Sequence, residues 1–160
     1  MQFTGAETVS GAGAYKSKLA LNHPCKELIW VVQDSGATAA PTAYKDVSTA
    51  KLQLNGQDRF SERAGAYFNL VQPYQHHTCI PGDGVYVYSF ALNPEQHQPS
   101  GTVNMSRIDN ATLHLSSDDG GNLHVYAVNY NVLRIMAVMG GLAYSNWSDC
   151  MLNIFASPPN

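Results

Sequence analysis

The stretch Asn129–Asn146, NYNVLRIMAVMGGLAYSN, is more than two-thirds apolar or glycine and carries a single charge, Arg134. None of its side chains is suited to acid–base or nucleophilic work. A run of this kind belongs inside a packed sheet, where backbone pairing and apolar burial fix the structure. Taken as one strand, Leu123–Met139 would be about 55 Å long, so a bend or break is expected near Asn129–Asn131. The segment reads as part of a building block rather than of a catalyst.

Working outward, Val, Tyr, Leu and Thr recur in short runs separated by Gly, Pro, Asn and Asp, the pattern of a sandwich or barrel. Lys26–Gln33, KELIWVVQ, places Leu28, Trp30 and Val32 on one face and Ile29 and Val31 on the other. Both faces are apolar, so this strand is central and covered on both sides. Residues 34–43 read as a loop. Leu52 and Leu54 lie in a short strand closed by Asn55-Gly56. Gly84–Leu92 alternates a smaller face (Val85, Val87, Ser89, Ala91) with a larger one (Tyr86, Tyr88, Phe90, Leu92). Val103 and Met105 follow a Pro-Ser-Gly turn. Ala111, Leu113 and Leu115 point inward opposite Thr112 and His114. Asp118-Asp119-Gly120-Gly121 reads as a hairpin-type turn.

One helical stripe interrupts this: Phe60, Ala64, Tyr67, Phe68 and Val71. It predicts a short helix near Arg59–Leu70, with Asp58 and Glu62 at its positive end and Pro73 stopping it. Gly65 within it costs about 1 kcal/mol against alanine. The expected fold is all-β, an eight-stranded antiparallel jelly-roll sandwich with one short helix in a long connection.

At 160 residues this is one domain by length, burying roughly 70% of its unfolded surface. Charged residues make up 13%, about half the ordinary share. A chain that hides much of its outside in an assembly needs fewer charges. The net charge of −3 and the scattered Lys and Arg argue against direct nucleic-acid binding. No run is long and apolar enough for a membrane span. The N-terminus lacks the basic start and apolar stretch of a signal peptide. Three cysteines, Cys25, Cys79 and Cys150, without a CxxC suggest free thiols in a reducing compartment. Acceptor patterns for N-glycosylation at Asn104, Asn110 and Asn146 are read as chance.

Four ordered blocks carry a family resemblance. They are HPCKELIWVVQ (His23–Gln33), LNGQDRFSERAGAYFNLVQPYQHH (Leu54–His77), GVYVYSFALNPEQHQPSGTVNMSRID (Gly84–Asp109) and the opening run. Together they span His23–Asn146. The sequence resembles the major capsid proteins of large nucleocytoplasmic double-stranded DNA viruses, the iridovirus, chlorella-virus and mimivirus group. The resemblance implies two successive jelly rolls per protein. Three copies then form a trimeric, pseudo-hexagonal capsomer that tiles an icosahedral shell. This chain resembles only the second jelly roll, taken as residues 1–146, with 147–160 a C-terminal tail beyond the usual end. Expected partners are further copies in a homotrimer, neighbouring capsomers and minor capsid proteins. The expected location is the virion, assembled in the host cytoplasm.

No cofactor, metal or catalytic residue is assigned. His76, His77 and Cys79 suggest ligands, but extended neighbours point to opposite faces and a zinc site needs four converging donors. Ser89, His124 and Asp109 can be written as a triad, yet no nucleophile elbow is present. Gly120-Gly121 and Gly140-Gly141 lack the Lys-Ser/Thr of a phosphate loop and read as tight turns with positive φ. Arg59, Arg63, Arg107 and Arg134 are better candidates for specificity. Arg107 and Arg134, in apolar strands, either pair with a carboxylate such as Asp109 or Glu95 or face a neighbouring subunit, and intrachain pairing is the first expectation. The rival functions are a jelly-roll lectin, with Trp147 available for stacking on sugars, a cupin-like enzyme and a transient assembly scaffold.

Overall fold

The computed structural model describes residues 1–9, 13–34, 44–136 and 139–142. Its strands are β1 (Gln2–Val9), β2 (Gly13–Leu19), β3 (Pro24–Gln33), β4 (Tyr44–Lys45), β5 (Val47–Leu54), β6 (Gln57–Asp58), β7 (Arg63–Ala64), β8 (Val85–Ser89), β9 (Val103–Asn104), β10 (Ala111–Ser117), β11 (Gly121–Asn129), β12 (Leu133–Met136) and β13 (Met139–Leu142). One sheet runs β1-β11-β3, with β8, β4 and β9 pairing along the far side of β3; the other runs β2-β10-β5, with β6 and β7 along β5. All pairings are antiparallel. The orders β1-β11-β3-β8 and β2-β10-β5-β7 face one another as the two four-stranded layers of a jelly roll.

The period-2 alternation that makes β3, β10 and β11 legible also fills the core. Leu28, Trp30 and Val32 from β3, and Leu123, Val125 and Ala127 from β11, meet Leu113, Leu115, Leu52 and Ala50 from the other sheet. Strand β3 is central, as its sequence predicts, because β11 binds one edge and β8 the other. The break near Asn129–Asn131 is where it was expected, between β11 and β12. Asn55 (φ 49) and Gly56 (φ 82) form the left-handed turn between β5 and β6.

Several expectations need correction. Strand β8 ends at Ser89, and Leu92 is exposed. The Asp118–Gly121 turn does not close a hairpin: β10 and β11 lie in different sheets. The turn crosses the sandwich because both strands need one apolar face on the shared core. Neither Gly121 nor Gly141 has positive φ. Gly121 opens β11, where an added Cβ would lie 2.5 Å from the Gln33 carbonyl oxygen, so close backbone approach is its constraint.

The helical segment is also displaced. A π-helical turn at Tyr67–Val71 leads into α1 (Gln72–His76). Pro73 therefore sits in the first turn of α1, where its missing N–H is tolerated, and does not stop the helix. Arg63 and Ala64 are in β7, and Asp58 pairs with Lys51 across β5–β6. The extra residue per turn in a π-helix rotates the buried face. Phe68 is fully buried and Val71 is exposed, while the polar Asn69 and Gln72 face inward. Asn69 donates to the carbonyls of Gly82 and Val85, and Gln72 accepts from the Ser89 amide. These bonds fasten the helix along the free edge of β8.

The greatest departure concerns β12 and β13. They pair only with each other, Leu133 opposite Leu142 and Arg134 opposite Gly141. Val132, Leu133 and Ile135 are 56%, 63% and 69% exposed. The run expected inside a sheet stands outside the sandwich as a separate ribbon. Its residues 137–138 and 143–146 lie outside the described ones, as do most of the loop at 34–43 and the tail at 147–160.

Candidate functional site

A bulge in β3 opposite Val128/Asn129 breaks the in-out alternation, so that Cys25 enters the core and Glu27 turns the other way. Glu27 is buried, and its Oε2 lies 3.1 Å from Nε2 of His77 just past α1. The two atoms do not meet hydrogen-bond geometry, so this contact is electrostatic rather than directional. The other ring nitrogen of His77 is 3.3 Å from Glu95, which also accepts from the amide and hydroxyl of Thr78. The cluster ties β3, the segment after α1 and the 90–99 loop together. The Thr78 amide, first among these contacts, holds the exposed Glu95 carboxyl below its usual range. Burial pushes the Glu27 carboxyl up, while His77 and Lys26 pull the other way.

A carboxyl whose pKa is raised by folding contributes its full stability below the unfolded pKa and loses it as pH rises through the folded value. Glu27→Gln abolishes that loss. In urea melts from about pH 4 to about pH 7, wild type should weaken steadily relative to the variant. Parallel profiles would show that Glu27 titrates alike in both states.

The suspected ligands do not converge. His76 Nδ1 contacts the Leu92 carbonyl at 2.9 Å, His77 is held by the two carboxylates, and Cys79 is exposed. Among the described residues, no group of three His, Cys, Asp or Glu is arranged to hold a metal ion. The supposed triad is likewise scattered. Ser89 pairs with Glu27 on one side of β3, and His124 pairs with Val31 on the other. Two strand spacings of about 4.8 Å separate them across the sheet. The Ser89 hydroxyl donates to the Ala91 carbonyl. Trp147, the residue considered for sugar stacking, lies outside the described residues.

Cys25 and Cys79 are both free thiols. The Cys25 thiol donates to the Glu27 carbonyl, and burial pushes its pKa up to about 12. Only a thiolate alkylates readily. Native alkylation followed by mass spectrometry should therefore modify Cys79 and spare Cys25 until denaturant is added. Both described cysteines are free thiols, as the sequence suggests, but Cys25 becomes open to alkylation only in the unfolded chain. Rapid native labelling of Cys25 would contradict the described packing.

The arginines depart from the first expectation. Arg59, Arg63, Arg107 and Arg134 are all exposed, and none forms an ion pair among the described residues. Arg107 closes a 3-10 turn (Met105–Arg107) rather than lying in a strand, and Glu95 is taken by His77. Arg63 stacks over Tyr67 at 5.4 Å. Two apolar surfaces accompany these charges. One is the outer side of the helix and the segments beside it, with Leu70, Tyr74, Ile80 and Leu92; the other is the β12–β13 ribbon. Sequence reasoning missed both, because an apolar residue gives no sign of whether its cover is internal. No helix among the described residues is long and apolar enough to cross a membrane.

Exposed cations beside exposed apolar surfaces suit contact between proteins. Comparison with known proteins agrees. The family described as large eukaryotic DNA virus major capsid protein matches residues 1–141. The major capsid protein of Pyramimonas orientalis virus is 53% identical, over 91% of this chain and 42% of its own length. That of Paramecium bursaria Chlorella virus 1 is 42% identical, over 91% of this chain and 47% of its own. The chain thus spans about half the length of these relatives. Among solved structures, the PBCV-1 virus capsid superimposes with a TM-score of 0.78 at 36% identity, covering 91% of this chain and 50% of that one. The Faustovirus major capsid protein, at 14% identity and a TM-score of 0.62, shares the fold. With a fold that superimposes on a solved capsid chain and a family match through nearly all its described length, the chain belongs to the major capsid proteins of large eukaryotic DNA viruses.

Proposed function

We propose that this chain is a capsid-forming jelly-roll domain with a structural, non-enzymatic role in an icosahedral viral shell. In this reading residues 1–146 are the second of two jelly rolls in a protomer and 147–160 are a tail. Three protomers make a trimeric, pseudo-hexagonal capsomer that contacts neighbouring capsomers and minor capsid proteins. The observation that carries the reading is the fit of 91% of this chain onto half of a PBCV-1 capsid chain. Two jelly rolls per chain give a trimer six similar units, the number a pseudo-hexagonal outline requires. The surface arginines, which form no ion pair among the described residues, support the reading, since charges facing a neighbouring subunit need no partner within the chain. Free thiols in Cys25 and Cys79 suit assembly in the host cytoplasm.

The test is the intact mass of the corresponding polypeptide from purified virions, together with the size of its soluble oligomer by light scattering. A mass well above twice 17.4 kDa and an oligomer of three chains are expected. A virion polypeptide of 17.4 kDa would refute the half-protomer assignment and leave the capsid role standing. Absence from virions would refute the capsid role.

A further inference from the structure

The β12–β13 ribbon stands apart from both sheets of the sandwich. A two-stranded ribbon alone is marginal in water and needs a third strand or a packed face. This one has no third strand among the described residues. Leu133 and Ile135 share one face by alternation, and both are largely exposed. At its foot Val132 borders an open cavity of about 380 Å³, lined also by Pro24, Asn104, Ser106 and Tyr130. A nearly chargeless apolar run left in water beside an apolar-rimmed cavity marks a surface that something covers.

Two observations bear on the cover. The family match runs through residue 141, so the ribbon belongs to the shared part of these proteins and not to a private extension. The relatives carry roughly as much chain again as this one matches. The ribbon is also small. Its two four-residue strands fall far short of the roughly 20–30 residues per side in a standard interface between free partners. A partner on the same chain needs much less area, because tethering holds it at an effective concentration in the millimolar range.

We propose that the β12–β13 ribbon is an intrachain clasp. Its Leu133/Ile135 face, with the cavity at its foot, seats on the half of the protomer lying outside residues 1–160 and locks the two jelly rolls together. The inference rests on the two-jelly-roll reading above. It also accounts for the sequence of the run, which has the composition of a buried strand.

The test uses the protomer expressed from its complete reading frame, with a photo-crosslinking amino acid in place of Ile135. Irradiation should give a product of single-chain mass whose linked peptide maps outside residues 1–160. A product of two-chain mass would make a second copy the occupant and overturn the proposal. A link back into residues 1–160, or no link at all, would overturn it as well. A second measurement guards against misfolding: Leu133→Lys with Ile135→Lys should leave the Tm of the 160-residue chain unchanged and lower that of the full protomer by several degrees. Equal shifts in both would mean the ribbon serves only its own domain. The intact mass separates the two failures, since a protomer of 17.4 kDa removes the two-jelly-roll reading and the clasp with it, whereas a longer protomer with an unlinked ribbon removes only the clasp.

Discussion

Gly65→Ala should destabilise the 160-residue chain by about 3 kcal/mol or more, lowering its Tm by roughly 6–12 °C. Helix propensity predicts the opposite, a gain of about 1 kcal/mol, so thermal melts of the two proteins give a sign and not merely a size. Gly65 lies between β7 and the π-helical turn, and the chain there presses on β5. An alanine Cβ would stand 1.9 Å from the Val47 carbonyl oxygen and 3.2 Å from the Tyr86 ring. Neither neighbour is free to yield. Val47 donates its amide to the Tyr86 hydroxyl at 2.8 Å, and the backbone of β5 is held by β10. Relief would have to come from moving the helix off the β8 edge, which breaks the Asn69 and Gln72 bonds. A melt that rises, or falls by less than about 2 °C, would show that the helix is not seated as described.

The second large effect is at Trp30. Trp30→Ala should cost about 3–5 kcal/mol, measured by urea or thermal unfolding. The indole is 1% exposed and packs against Phe68 at 5.2 Å and Tyr86 at 6.2 Å between ring centroids. Within the shared core it ties its own sheet to the helix, so no single element can collapse into the space it leaves. Trp30→Phe separates packing from polarity. The indole Nε1 is buried without a hydrogen-bond partner among the described residues, and such a group costs about 1–3 kcal/mol. Phenylalanine keeps most of the ring contact and removes that orphan, so its cost should be less than half that of alanine. Equal losses would mean that the indole nitrogen is satisfied in solution.

What could be read from the chain before its structure follows from where each strand gets its stability. Strands β3 and β10 were legible because alternation alone places Leu28, Trp30, Val32, Leu113 and Leu115 on a core. Strand β1, QFTGAETV, was not: it is largely exposed and held by backbone pairing with β11 along one edge. Strand β2, GAYKSKL, is similar against β10. Backbone hydrogen bonds leave no mark on composition. The helix was legible in kind but not in phase, since a π-turn shifts the face by a residue and puts Asn69 where an apolar side chain would be read. For function, the intrachain pairing first expected for Arg107 and Arg134 is not found among the described residues. Of the two carboxylates named as partners for Arg107 and Arg134, Asp109 forms no ion pair among the described residues and Glu95 is committed to His77, a contact between residues far apart in sequence that spacing does not reveal.

Strand β11 lies between β1 and β3, so the sheet has no middle until β11 has been made. Almost ninety residues separate Gln33 from Gly121. At the roughly 5–20 residues per second of synthesis, β3 waits several seconds on the ribosome with Leu28, Trp30 and Val32 unpaired along that edge. This half of the sandwich thus cannot close until β11 emerges, and its yield at high expression depends on how well the waiting strand is kept from its counterparts on neighbouring nascent chains.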